Sequence, residues 1–95
     1  MTEKSDTILI GKKPTMSYVL AIITGLSTSS AKEITLKARG KSIVTAVDVA
    51  EVTRNRFLKD LKVKDIKIAT EEMPPREGQG KSRMVSTMEI TLAKE

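Results

Sequence analysis

Cysteine and histidine are both absent from this chain of 95 residues. Without cysteine there is neither a disulfide framework nor a thiolate ligand. Without histidine, the commonest metal ligand and the commonest general base are missing. Aromatics are scarce as well: Tyr18 and Phe57 stand alone. No stacking platform of the RRM or OB-fold type is therefore available for unpaired bases. No stretch approaches the ~20 apolar residues of a membrane span. Residues 1–6 are polar and mixed, with no apolar run of signal-peptide length. A cytoplasmic chain with no membrane partner is the expectation.

What is present is charge. Seventeen Lys and Arg against twelve Asp and Glu give a formal net charge of +5 and a pI near 9.6. That balance favours polyanionic partners and says nothing about fold. The length suits one domain over residues 1–95, with a modest core and little room for a large enzyme cleft.

The stretch Ile8-Leu9-Ile10-Gly11-Lys12-Lys13-Pro14 orders the rest. Its apolar run reads as a strand over 7–10, preceded by a tail over 1–6. Gly11 allows a sharp turn, and Pro14 suits the first helical position, where a missing N–H is harmless. Lys12 and Lys13 then flank a helix N-terminus, whose dipole favours an anion. The spacing of Met16, Val19, Leu20, Ile23 and Leu26 predicts a helix from Pro14 to about Leu26, ended by the hydroxyl run 27–30.

Ile34, Leu36 and Ala38 alternate with Glu33, Thr35 and Lys37, which predicts a half-buried strand. Arg39-Gly40-Lys41-Ser42 forms the next turn, with Ser42 as N-cap of a second helix running to about Leu58. Ile43, Val47, Ala50 and Phe57 share one face of it. Val49 and Val52 lie near the other, either as scattered surface valines or as a self-association contact. After a charged loop over 59–64, Ile66, Ile68 and Thr70 mark a third strand. Met88, Ile90 and Leu92 mark a fourth. Between these two strands, residues 71–83 hold two prolines and two glycines, the composition of a protruding hairpin tip.

The order βαβαββ places the first three strands parallel if both crossovers follow the usual hand. Their C-terminal ends then gather Lys12 and Lys13, then Lys37, Arg39 and Lys41, then a hairpin bearing Arg76, Lys81 and Arg83. Each group alone reads as a solvated turn. Their convergence reads as a phosphate-binding face. Gly40-Lys41-Ser42 ends like a P-loop, but Thr35 stands where that motif needs its first glycine. Asp48 and Glu51 are three apart on a helix and read as solvated charges. No histidine is available to activate a serine or threonine. No enzymatic activity, cofactor, metal or small-molecule substrate is expected.

Several blocks together resemble the Alba family of archaeal chromatin proteins: Ile10-Gly11-Lys12-Lys13-Pro14 with Tyr18-Val19-Leu20-Ala21, Lys37-Ala38-Arg39-Gly40-Lys41, Arg54-Asn55-Arg56-Phe57-Leu58, and Ser86-Thr87 leading into Glu89-Ile90. The resemblance implies an α/β (α+β) two-layer sandwich, βαβαββ, like the C-terminal domain of translation initiation factor three. It implies a homodimer that coats and condenses double-stranded DNA with little sequence preference, associated with the nucleoid, and RNA binding in some relatives. It puts Lys12, a site of acetylation in the family, at the centre of the DNA surface beside Lys13. Arg39 and Lys41 fall to the second turn, and Arg76 to Arg83 to the hairpin arms. Phe57, with Asn55 and Arg56, falls to a dimer–dimer contact. Lys41 stands where the family often has arginine, which weakens a bidentate grip on phosphate.

Overall fold

The structure, a computed structural model, describes residues 5–28, 32–75, 78 and 80–94. The elements run β1 (Ser5–Leu9), α1 (Thr15–Thr28), β2 (Glu33–Arg39), α2 (Ser42–Val52), a π-helical turn (Thr53–Phe57), β3 (Leu61–Met73) and β4 (Arg83–Lys94). The expected βαβαββ order is the observed one.

Strand alternation builds one half of the core. Ile34, Leu36 and Ala38 of β2 and Ile90 and Leu92 of β4 are buried, while Lys37 and Arg39 face outward. The helices supply the other half through Tyr18, Val19, Ile22 and Leu26 of α1 and Ala46, Val49 and Ala50 of α2. Both helices therefore cover one face of the sheet, and the opposite face is open. Burying each of the large side chains Ile22, Ile34, Leu36, Leu61 and Leu92 contributes about 1.5–3 kcal/mol.

The sheet order is β1-β2-β4-β3. β1 runs parallel to β2, and β4 runs antiparallel to both β2 and β3. Strands β1, β2 and β3 consequently point the same way, as the crossover argument requires. β2 ends at Arg39, opposite Thr87, but β3 and β4 pair on through Met73 and Arg83. Four residue pairs thus overhang the sheet, an arm of about 13 Å at the usual strand rise.

Several local expectations are corrected. The buried face of α1 is centred on Tyr18, Ile22 and Leu26, leaving Met16 and Leu20 largely exposed. In α2 the buried face is rotated: Ala50 is buried and Ile43 packs against the core as expected, but so do Val49, fully buried, and Val52, while Val47 and Phe57 are exposed. Both errors are rotations of about one residue, and neither helix has a polar stripe strong enough to fix its phase. Pro14 lies just before α1, its carbonyl accepting from the Ser17 N–H at 3.0 Å. Ser42 is the first residue of α2, and Lys41 occupies the N-cap with no side-chain cap bond. β1 starts at Ser5, inside the expected tail, and residues 1–4 lie outside the described residues. β3 starts at Leu61, inside the expected charged loop, because Leu61 is a core residue.

The end of α2 is not a regular helix. Thr53 is fully buried, and its hydroxyl donates to the Val49 carbonyl at 2.7 Å. The Thr53 carbonyl instead accepts from the Leu58 N–H, five residues on. Back-bonding of this kind widens a turn, and π-turns recur at functional positions. Here it turns Asn55, Arg56 and Phe57 out to solvent.

Leu36→Ala should lower the free energy of unfolding by about 2–5 kcal/mol. Leu20→Ala, at a position 57% exposed, should lower it by about 1 kcal/mol or less. Urea denaturation at one protein concentration compares the two.

Candidate nucleic-acid interface

Lys12 and Lys13 follow β1 directly, and both are exposed. The Ile10 N–H donates to the Lys37 carbonyl at 2.8 Å, so the turn bearing them is tied alongside β2 as it leaves β1. Its shape is held by one side chain. The Tyr18 phenol oxygen accepts from the Gly11 N–H at 2.8 Å and from the Lys13 N–H at 3.1 Å. These two main-chain donors are thus satisfied within the turn, before α1 begins at Thr15. Gly11 also proves not to be demanded by the turn. Its backbone is not left-handed, and a Cβ there would meet only the Tyr18 hydroxyl, at 3.6 Å.

Gly40 is the glycine that matters. Its φ of +57° closes the turn between β2 and α2. Its N–H donates to the Ser86 carbonyl at 2.9 Å, and its carbonyl accepts from the Ile43 N–H at 3.1 Å. The turn is thereby tied to the base of the arm, with Arg39 on one side and Lys41 on the other. Neither α1 nor α2 carries an acidic residue in its first turn, so the positive ends of both dipoles are uncompensated there.

The open sheet face mixes signs. Lys37 lies 3.9 Å from Glu89, and Arg39 lies 4.0 Å from Glu71 with a further contact to the Met73 sulfur at 3.7 Å. Exposed pairs of this kind are worth about 0–1 kcal/mol, weak enough for a phosphate to replace the carboxylate. Among the described residues no ion pair engages Lys12, Lys13, Lys41 or Lys81. Arg83 is half-buried at the base of the loop, opposite Met73. Its Nε is buried with no hydrogen-bond partner. Arg76 lies outside the described residues.

Because β1, β2 and β3 are parallel, Lys12 and Lys13, Arg39 and Lys41, and the arm with Lys81 and Arg83 share one pole of the sheet. Asn55, Arg56 and Phe57 lie beyond the C-terminal end of α2, away from Lys41 at its start. Sequence reasoning missed Tyr18 as a support for the first turn. It also missed Glu89 as the partner of Lys37. Cross-strand register, which the sequence does not display, decides the second.

The Alba family model matches residues 6–70, more than half of the chain. The chain belongs to the Alba family. It is 45% identical over 91 residues to a protein of Picrophilus torridus named DNA/RNA-binding protein Alba, covering 96% of this chain and 98% of that one. It is 49% identical over 89 residues to DNA/RNA-binding protein Alba 1 of Archaeoglobus fulgidus, covering 94% and 96%. The solved structure of Alba from Thermoplasma volcanium superposes with a TM-score of 0.84 at 46% identity, over 93% of this chain and 99% of that one. Among the described residues, no group of three or more acidic side chains is placed to hold a metal ion. No described helix is long and apolar enough to cross a membrane.

Gly40→Ala forces a side chain into the left-handed region and should destabilise the fold by roughly 1–2 kcal/mol. Gly11→Ala should shift it by less than about 1 kcal/mol. Thermal and urea unfolding of both variants test the distinction.

Proposed function

We propose that this Alba chain is a homodimeric chromatin protein that binds double-stranded DNA with little sequence preference, coating and compacting it. The observation that carries the reading is the common pole of Lys12, Lys13, Arg39, Lys41, Lys81 and Arg83, drawn from three segments far apart in sequence. Relatives at 45–49% identity bear the name DNA/RNA-binding protein Alba, which supports a nucleic-acid partner. Lysines in turns meet phosphates as point charges and carry no base code, so affinity without sequence preference follows. Lys37 joins by exchanging Glu89 for a phosphate. Arg76, between β3 and β4 in sequence, adds a further cation to the proposed contact.

Within this reading Lys12 lies at the centre of the contact, and acetylating it removes one cation and weakens binding. The protein then works on the chromosome, in the cytoplasm. RNA is the second reading, favoured by the paired naming of the relatives. The scarcity of aromatics argues for duplexes of either kind over unpaired bases.

Two exposed apolar groups support self-association. Val44 and Val47 on α2 are 67% and 41% exposed, and Ile66 and Ile68 on β3 are 53% and 76% exposed. Ile43 and Ile68 line one groove between α2 and the base of the arm, which makes the surface continuous. A two-fold partner would cover it with the same patch. Phe57, 47% exposed beside Asn55 and Arg56, then remains for contacts between dimers along the duplex.

Affinity for duplex DNA should fall steeply with salt through counterion release. Lys12→Ala and Lys13→Ala should each flatten the log–log slope by about one and weaken all sequences alike. Titrations against duplex DNA and structured RNA across a salt series provide the test. Losses that depend on sequence, or a slope unmoved by either change, would contradict the reading. Ile68→Asp should convert the dimer to monomer in sedimentation equilibrium while leaving the monomer folded by circular dichroism.

A further inference from the structure

The Lys12–Lys13 turn has an unusual internal support. Turns of this kind are ordinarily closed by main-chain bonds, but here two main-chain donors converge on one phenol oxygen. Tyr18 is 7% exposed and sits in the core with Val19, Ile22 and Leu26. Its hydroxyl end reaches out of that core to the Gly11 and Lys13 N–H groups, at 2.8 and 3.1 Å. The residue between them, Lys12, is therefore pinned on both sides. α1 carries the phenol, so the turn is referenced to the rigid helix rather than to its own loop.

We propose that Tyr18 is a positioning residue for nucleic-acid binding, holding Lys12 and Lys13 as one preorganised pair; this rests on the function proposed above. A lysine side chain loses much rotamer freedom when it meets a phosphate. If its backbone must also be ordered on binding, a further entropic cost is added. The phenol removes that second cost in advance. It also fixes the separation of the two ammonium stems, so both lysines reach phosphates together. A phenylalanine at position 18 would fill the core nearly as well but leave the turn unheld. The hydroxyl is what the packing alone does not require.

Tyr18→Phe tests this, because the ring stays in place and only the acceptor is lost. Amide exchange at Gly11 and Lys13, followed by NMR on the full chain, should speed up, while exchange at core positions such as Leu36 should not. Affinity for a duplex DNA probe should fall about 5- to 30-fold. Combined with Lys12→Ala and Lys13→Ala, the same change should alter affinity by less than about twofold, because the pair it positions is gone. An equal loss in the lysine-free background would reduce Tyr18 to a general structural role and overturn the proposal. So would unchanged exchange at Gly11 and Lys13, or unchanged affinity. A wild-type chain with no salt-dependent binding at all would sink the nucleic-acid reading itself, and the exchange result would then show the phenol to be a purely structural brace.

Discussion

β4 lies between β2 and β3 and hydrogen-bonds antiparallel to both, and the common direction of β2 and β3 follows from that. A strand flanked on both sides by antiparallel neighbours forces those neighbours to be parallel to each other. β1 joins β2 in parallel through the first crossover. Three strand ends thus point to one pole, and each is followed by a basic turn or by the arm. With β4 at an edge and parallel to its neighbour, the arm would emerge at the far pole, away from Lys12.

The same placement determines how the charge is presented. β2 stops at Arg39 while β3 and β4 continue, so the basic turns lie at the base of a projecting ribbon. On the open face, cross-strand register sets Lys37 against Glu89, and the Arg39 side chain reaches past β4 to Glu71 on β3, which moderates the local field. At the turns no such partner engages Lys12, Lys13 or Lys41 among the described residues, and two helix dipoles add to them. The electrostatic weight therefore falls on the turns rather than on the sheet. This distribution suits a surface that meets a phosphate backbone by charge and shape, and Tyr18 holds the turn that bears Lys12 and Lys13.

Strand identity was legible because alternation survives without tertiary context: Ile34, Leu36 and Ala38 could only face one side. The arm was legible from Pro74, Pro75, Gly78 and Gly80. Helix phase was not, because α1 and α2 carry apolar residues around most of their circumference. Leu20 is about as hydrophobic as Ile22 and Met16 is also apolar, and only the position of the sheet decides which side is buried. Leu61 was hidden among charges, since a single core residue in a polar run has no periodicity to reveal it. The site was legible as a set of cations and illegible as a set of partners, because Lys37–Glu89 depends on a strand register formed between distant segments.

The sequence by itself determined the order of elements, the excess of positive charge, and the lack of groups for thiol or imidazole chemistry, because each is a property of residue types or of local spacing. Tertiary structure alone decided which valines of α2 are core, that Thr53 opens a π-turn, and that Tyr18 holds the lysine turn. Those depend on what lies across from a residue, and that is settled only when separated segments pack.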